Sequence, residues 1–150
     1  LAQYLSEKIW APYGMQTDAN WWLDGPNGNE VGGSGISATL EDYGRFGQFV
    51  LSGGKAGDKQ ILPKDWMNFA SATTGTDPAY GDFASMWWPA WTDASKADKA
   101  FTAAGTFGQY LYINPTRNVV IVVWQAQTKP TGGKVIDDMF AFDAVAKALQ

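Results

Sequence analysis

The chain has 150 residues, no histidine, no cysteine and a formal net charge of −4 at pH 7. Without histidine, Ser-His-Asp and Cys-His catalysis are excluded within these residues. Without cysteine, disulfides, thiolate zinc sites and iron–sulfur clusters are excluded. An acidic chain is a poor match for the phosphates of nucleic acids, so no nucleic-acid partner is expected. No apolar run approaches the roughly 18 residues of a membrane span, and neither a metal nor another cofactor is expected.

Residues 1–10 predict a helix that starts at the first residue. Leu1, Leu5 and Ile9 recur every four residues, with Tyr4 beside them, and form one apolar face. Because the chain opens inside a helix, with leucine rather than methionine, we interpret it as part of a longer domain. A processed mature terminus or an engineered boundary is the alternative.

The next part of the chain predicts two helices separated by loops. Residues 10–29 are rich in Gly, Pro, Asn and Asp and predict a loop. Thr39 predicts the N-cap of a helix that ends at the glycines after Ser52, and Pro63 starts a short helix. The apolar side of the capped helix is expected to hold Leu40, Tyr43, Phe46, Gly47, Val50 and Leu51. Acidic residues of the helices are expected to be solvent exposed, namely Glu41, Asp42, Asp137 and Asp138.

The second half predicts strands followed by one helix. Residues 86–89 predict a strand, and residues 108–113 and 118–124 predict two more around a tight turn. Residues 134–149 predict a helix whose apolar positions are Val135, Met139, Phe142, Ala146 and Leu149. This order indicates an α+β fold in which the last helix covers an antiparallel sheet.

The unbroken β-branched run at residues 119–123 predicts a strand buried on both faces. Such a strand needs a neighbour on each side, because an open edge exposes unpaired backbone groups. The missing neighbour is expected to come from an absent N-terminal part or from self-association of the chain.

The residues for nucleophilic catalysis are not found. Without histidine, acyl transfer can use a Ser-x-x-Lys pair on one helix face. The match at Ser52–Lys55 is rejected because two glycines interrupt the helix. Tyr112 and Asn114 match a Tyr-x-Asn motif, but the alternation of a strand explains them. Residues 101–110 are small and Gly-rich, which suits either a backbone that approaches a ligand or an ordinary hairpin.

The chain has eight tryptophans, of which Trp21, Trp22 and Trp91 fall in predicted loops. Tryptophans in loops are candidates for lining a substrate cleft or stacking on sugars, with simple packing as the alternative. An aromatic-rich carbohydrate-binding module without catalysis is therefore the alternative function.

Five segments, in the right order, resemble the serine β-lactamase-like hydrolases. This family includes class C β-lactamases, penicillin-recognising DD-peptidases, related esterases and 6-aminohexanoate-dimer hydrolase. The segments are residues 4–15, the double-Gly loop and helix at 32–48, residues 53–66, the aromatic pair Trp87 and Trp88, and residues 104–115.

The resemblance implies that residues 1–150 are the C-terminal portion of one β-lactamase/transpeptidase-like domain, an antiparallel sheet with helices packed on it. The family's catalytic Ser-x-x-Lys helix and Tyr motif belong before Leu1 and are absent here. The implied reaction is cleavage of an ester or amide, with β-lactam and peptide as further options, through an acyl-serine intermediate. This chain alone is expected to be inactive.

The resemblance also implies a site and its partners. Thr106, with Gly105 as the neighbour, is expected to give a backbone N–H to the oxyanion hole. The cleft walls are expected to be Trp21, Trp22, Trp88 and Phe107. Where the family has Lys-Thr-Gly, residues 102–105 read Thr-Ala-Ala-Gly, which favours the esterase or amidase branch over recognition of a β-lactam carboxylate. The implied partners are a small-molecule substrate and the missing N-terminal segment, and a periplasmic or secreted location is favoured over the cytoplasm.

Overall fold

A computed structural model describes residues 1–70, 86–130 and 137–149. The helices are α1 Ala2–Leu5, α2 Ala11–Tyr13, α3 Leu40–Leu51, α4 Trp66–Ala70, α5 Asp93–Ala97 and α6 Asp138–Ala148, with a π-helical turn at Ser6–Trp10 between α1 and α2. The strands are β1 Asn20–Trp21, β2 Ile36–Ser37, β3 Lys55–Ala56, β4 Lys59–Gln60, β5 Trp88–Pro89, β6 Phe101–Ala104, β7 Tyr110–Asn114 and β8 Val119–Val123.

The main sheet is antiparallel and runs in the order β5-β6-β7-β8. Its register pairs Ala104 with Tyr110 at the β6–β7 end and Asn114 with Val119 at the β7–β8 turn. Two small hairpins, β1–β2 and β3–β4, complete the strands of the described residues. The predicted antiparallel sheet is confirmed.

Helices cover both faces of this sheet. Side chains of a strand alternate between its faces, and β7 divides accordingly. Leu111 and Ile113 pack in one cluster with Phe49 and Val50 of α3. On the opposite face, Tyr110 and Tyr112 pack with Met139 and Phe142 of α6. The predicted α+β architecture, with the last helix on the sheet, is confirmed.

The boundaries of α3 follow from local chemistry, as the sequence predicts. The side-chain oxygen of Thr39 accepts a hydrogen bond from Asp42 N at 3.1 Å, which satisfies one free amide of the first turn. After Ser52, both Gly53 and Gly54 have φ of +75°, a conformation that favours glycine and ends the helix.

The prediction that Asp42 is exposed is wrong, because its side chain is 0% exposed. The loop before β1 folds back onto the start of α3. There the Asp42 carboxylate accepts from Gln16 N at 2.8 Å, Thr17 N at 3.1 Å and Thr17 Oγ1 at 2.8 Å. Burial is tolerated because these donors replace water. Glu41 is exposed, as predicted.

Asp137 and Asp138 are half-buried rather than exposed. Asp137 caps α6 by accepting from Met139 N at 3.1 Å, and it also accepts from the Trp91 indole. Asp138 accepts from Gln125 Nε2 at 2.9 Å. Both carboxylates therefore join α6 to the rest of the fold.

Other details of the prediction also differ. Residues 10–29 are not all loop, because α2 and β1 lie within them. The fully buried strand is β7, whereas β8 is largely half-buried at the end of the described sheet. The start of the predicted last helix, with Val135, lies outside the described residues. Four residues expected on apolar faces are exposed, namely Leu1, Tyr4, Leu40 and Leu149.

Candidate active-site wall

The turn between β6 and β7, residues 105–108, holds the two predicted oxyanion residues. Gly105 N donates to Gln109 O at 2.7 Å, and Gly108 N donates to Gly105 O at 3.1 Å. Phe107 N donates to Gln109 Oε1 at 3.2 Å. Within the described residues, Thr106 N is the amide of this turn that has no acceptor. Thr106 is exposed, so this N–H is available to a bound group.

Glutamine residues hold the β6–β7 turn from two sides. Gln109 uses its Oε1 on Phe107 N and its Nε2 on Gln125 O, the latter at 2.8 Å. From the other side, Gln127 N donates to Phe107 O at 3.0 Å. A Cβ at Gly105 would lie 2.5 Å from Gln109 Oε1 and 3.0 Å from Gln109 Cβ, so a larger residue there would displace the Gln109 side chain. The backbone around Thr106 is thus fixed by its neighbours.

A groove of about 500 Å³ lies beside Gln109. We call it the Tyr43 groove; its lining residues are Ile36, Ser37, Ala38, Tyr43, Gln109, Trp124, Gln125 and Ala126. None of these side chains carries a charge at neutral pH. Tyr43 OH donates to Ile36 O at 2.6 Å, and its ring meets Trp124 edge to face at 6.2 Å. Burial raises the pKa of Tyr43 above its usual 10.

The predicted cleft aromatics fall into two groups. Trp88 lies in β5 opposite Thr102, and Phe107 stands in the β6–β7 turn with 43% of its surface exposed. Trp21 and Trp22 lie instead on the β1–β2 hairpin. Trp21 is half-buried and lines a second cavity, and Trp22 is 69% exposed and lines neither cavity. Ile36 lines both cavities and so links Trp21 to the Tyr43 groove.

Tyr43 and Gln109 line the candidate site, and the sequence pattern does not single out either residue. The sequence predicts Tyr43 only on the apolar side of a helix and Gln109 only within a Gly-containing segment. The sequence signal for Gln109 is its position directly after the turn at residues 105–108. A side chain with both a donor and an acceptor can form hydrogen bonds across such a turn. No comparable local signal marks the Tyr43 hydroxyl.

Tyr112 and Asn114 belong to a buried polar network on the α6 face of the sheet. Asn114 Nδ2 donates to Tyr112 OH and to Asp98 Oδ2, both at 3.0 Å. Ser95 Oγ lies 3.1 Å from Tyr112 OH. Burial raises the pKa of Tyr112. Burial alone would raise the pKa of Asp98, but the hydrogen bonds from Asn114 and Arg117 lower it overall. These contacts support the interpretation of Tyr112 and Asn114 as strand residues rather than a catalytic motif.

The described residues contain no group of three or more acidic side chains placed to hold a metal ion. In the same parts of the chain, no helix has the length and apolar character that crossing a membrane requires.

An antiparallel sheet packed between α3 and α6 is consistent with a β-lactamase-like α+β fold. The sequence profile of the β-lactamase family matches residues 1–146, and the chain belongs to this family, whose members are hydrolases. No curated protein matches the chain.

Two solved structures are similar to this one. A Bacillus anthracis protein described as a 6-aminohexanoate-dimer hydrolase has a TM-score of 0.78 and 28% sequence identity over 97% of this chain. A Bacteroides dorei DSM 17855 protein described as a β-lactamase has a TM-score of 0.63 over 96% of this chain; at 19% identity it supports the fold alone. The chain spans 37% of the length of the first protein and 50% of the second.

Proposed function

We propose that this chain forms the C-terminal part of a serine hydrolase that cleaves an ester or amide bond through an acyl-serine intermediate. The observation that carries the proposal is the open N–H of Thr106 in a turn whose other amides are occupied. A fixed, unpaired N–H stabilises negative charge as it develops, because nothing must reorganise during the reaction. Gly105 shapes the turn in this proposal, since its own N–H is bonded to Gln109 O.

In this proposal the chain does not supply the nucleophile. Ser52 Oγ donates to Phe49 O at 2.7 Å at the end of α3, and Lys55 lies beyond it in β3. Ser52 therefore has no lysine on the same helix face to take its proton. The serine, lysine and tyrosine of the reaction come from a segment before Leu1, which also supplies a neighbour for β8.

The chemistry of the described surface favours a neutral substrate. Among the residues that the structure describes, none that lines the Tyr43 groove carries a charge. Residues 102–105 offer no cationic side chain to pair with a substrate carboxylate. We therefore favour an ester or amide over a β-lactam. Phe107, Trp88, Trp21 and Trp22 are its proposed cleft walls.

The first experiment measures hydrolysis of p-nitrophenyl acetate by the 150-residue chain alone. The expected result is a rate equal to that of buffer. Steady turnover would show that the nucleophile lies within these residues and would contradict the proposal.

The second experiment uses the chain joined to its upstream coding sequence. We expect that sequence to contain Ser-x-x-Lys followed by Tyr-x-Asn, and the joined protein to hydrolyse the ester. Thr106→Pro removes the N–H and is expected to lower kcat by about 100-fold or more. Thr106→Ala keeps the N–H and serves as the matched control. Equal kcat for both variants, with near-UV spectra like the parent's, would exclude Thr106 from the oxyanion hole.

A further inference from the structure

A second cavity, of about 440 Å³, lies between the N-terminal helical segment and the β1–β2 hairpin. We call it the indole pocket. The lining residues that matter here are Gln3, Ser6, Trp10, Asp18, Asn20 and Trp21. Its volume falls in the range of small-ligand sites, and it combines aromatic surface with a few polar groups, as such sites do.

Both indoles of the pocket are held by the backbone. Trp10 Nε1 donates to Thr17 O at 2.8 Å. Trp21 Nε1 donates to Val31 O at 2.9 Å and to Ser34 O at 3.1 Å. Because the indole N–H groups are occupied, the rings offer a ligand their π surface rather than a hydrogen-bond donor.

The pocket carries a negative charge that the described residues do not neutralise. Asp18 is its one ionisable lining residue, and its carboxylate has no ion pair or hydrogen bond within the described parts of the chain. The cations on adjoining elements are engaged elsewhere. The N-terminal amine pairs with Glu30, and Lys8 Nζ lies 6.0 Å from the centre of the Tyr4 ring.

We propose that the indole pocket binds an organic ammonium group. A cation gains from the electron-rich faces of Trp10 and Trp21, which are half-buried, while Asp18 at the exposed rim of the pocket remains accessible to it. Asp18 adds a full negative charge, and the oxygens of Ser6 and Asn20 add acceptors, which are what a ligand with only donors requires. The proposal stands apart from the proposed hydrolase function, because it needs neither a nucleophile nor Thr106.

The test is a titration of the 150-residue chain with choline, followed by NMR of the indole Nε1–H signals. The matched neutral probe is 3,3-dimethylbutan-1-ol, which has the same shape as choline without the charge. Trp10→Phe and Trp21→Phe assign the two signals. We expect choline to shift both signals in a saturable way and the alcohol to shift neither at the same concentration.

Two charge variants complete the test. Asp18→Asn keeps the shape of the side chain and is expected to weaken choline binding by about fivefold or more. Asp58→Asn removes an equal charge from the exposed β3–β4 turn and is expected to leave binding within about twofold. Equal shifts with the neutral alcohol would overturn the proposal, as would equal affinity of the Asp18→Asn variant and the parent. Saturable shifts with glucose but not with choline would make it a sugar site instead.

Discussion

The side-chain amide of Gln109 holds the backbone of Phe107, with Oε1 accepting from Phe107 N at 3.2 Å. The same amide reaches Gln125 O through Nε2 at 2.8 Å. One side chain therefore ties the β6–β7 turn to the segment that follows β8. The position of Thr106 N–H depends on this link, since Thr106 lies between Gly105 and Phe107, which are both bonded to Gln109.

Gln109→Leu is expected to loosen the β6–β7 turn without unfolding the sheet. The variant loses two hydrogen bonds, a cost of about 1 kcal/mol each in unfolding free energy. Amide exchange of Phe107 is expected to accelerate by about tenfold, because its acceptor is gone. Gln109→Glu keeps the acceptor for Phe107 N but loses the donor to Gln125 O, so it should preserve protection of Phe107 while losing one of the two hydrogen bonds. Equal protection of Phe107 in the Leu variant and the parent would show that the link does not hold the turn.

Asp42 links stability to pH. Burial raises its pKa, but hydrogen bonds led by Gln16 N and Thr17 outweigh this effect and bring the pKa to about 2. In the unfolded chain the pKa of aspartate is about 3.9. A lowered pKa in the folded state means that the carboxylate stabilises the fold above about pH 4. This contribution is lost as the pH falls from about 4 through about 2.

Asp42→Asn is expected to lower the unfolding free energy at pH 7 by about 2 kcal/mol, the usual scale for a hydrogen-bonded charge. It should also flatten the loss of stability between about pH 4 and pH 2. Glu41→Gln is the control, because Glu41 is exposed and its pair with Arg45 at 2.9 Å lies at the surface. Urea unfolding at several pH values measures both effects. An unchanged acid limb in the Asp42 variant would contradict the assignment.

Local signals predicted the parts of the fold that depend on neighbours in sequence. The cap at Thr39 lies three residues from the amide that it accepts from, and the glycines after Ser52 follow the helix that they end. The two strands around the turn at residues 115–118 are marked by proline and a β-branched run. In each case the physical cause lies within a few residues, so the sequence is sufficient to detect it.

The errors arise where distant segments meet. The local sequence around Asp42 is typical of a surface residue. The residues that donate to its carboxylate, Gln16 and Thr17, lie about 25 positions away in sequence, so the local pattern does not indicate the burial. The run in β8 is as apolar as a central strand, yet β7 is the one enclosed between α3 and α6. Of the predicted site, Phe107 and Thr106 share one turn because they are adjacent in sequence. Trp21 is far from that turn in sequence, so its position in the sequence does not indicate whether it lies close to the turn in space.

Gly47 marks the close approach of α3 to the sheet. A Cβ at this position would lie 2.4 Å from Val120 Cγ1 and 2.8 Å from Leu111 Cδ1. Gly47→Ala is therefore expected to lower the unfolding free energy by about 1–3 kcal/mol, since both contacts are buried or half-buried and must shift. Gly44→Ala is the matched control in the same helix, because among the described residues nothing beyond its chain neighbours and the helix backbone lies within 4 Å of its Cβ position. There alanine should stabilise by about 0.5–1 kcal/mol through its helix propensity. Thermal unfolding of the two variants should move in opposite directions, and a shared direction would contradict the packing argument.

Tyr43 should make the fold sensitive to alkaline pH. Burial raises its pKa above 10, so the folded state retains the phenol proton at a pH where the unfolded chain has released it. Stability is therefore present below about pH 10 and declines as the pH rises through the pKa of the folded state.

Tyr43→Phe should reduce this decline without removing it, because burial also raises the pKa of Tyr13 and Tyr112. At pH 7 the variant should lose about 1 kcal/mol of unfolding free energy, since Ile36 O loses its donor. Tyr4→Phe, at an exposed site, is the control and should leave both quantities unchanged. A steep alkaline decline that survives in full in Tyr43→Phe would show that this hydroxyl does not govern it.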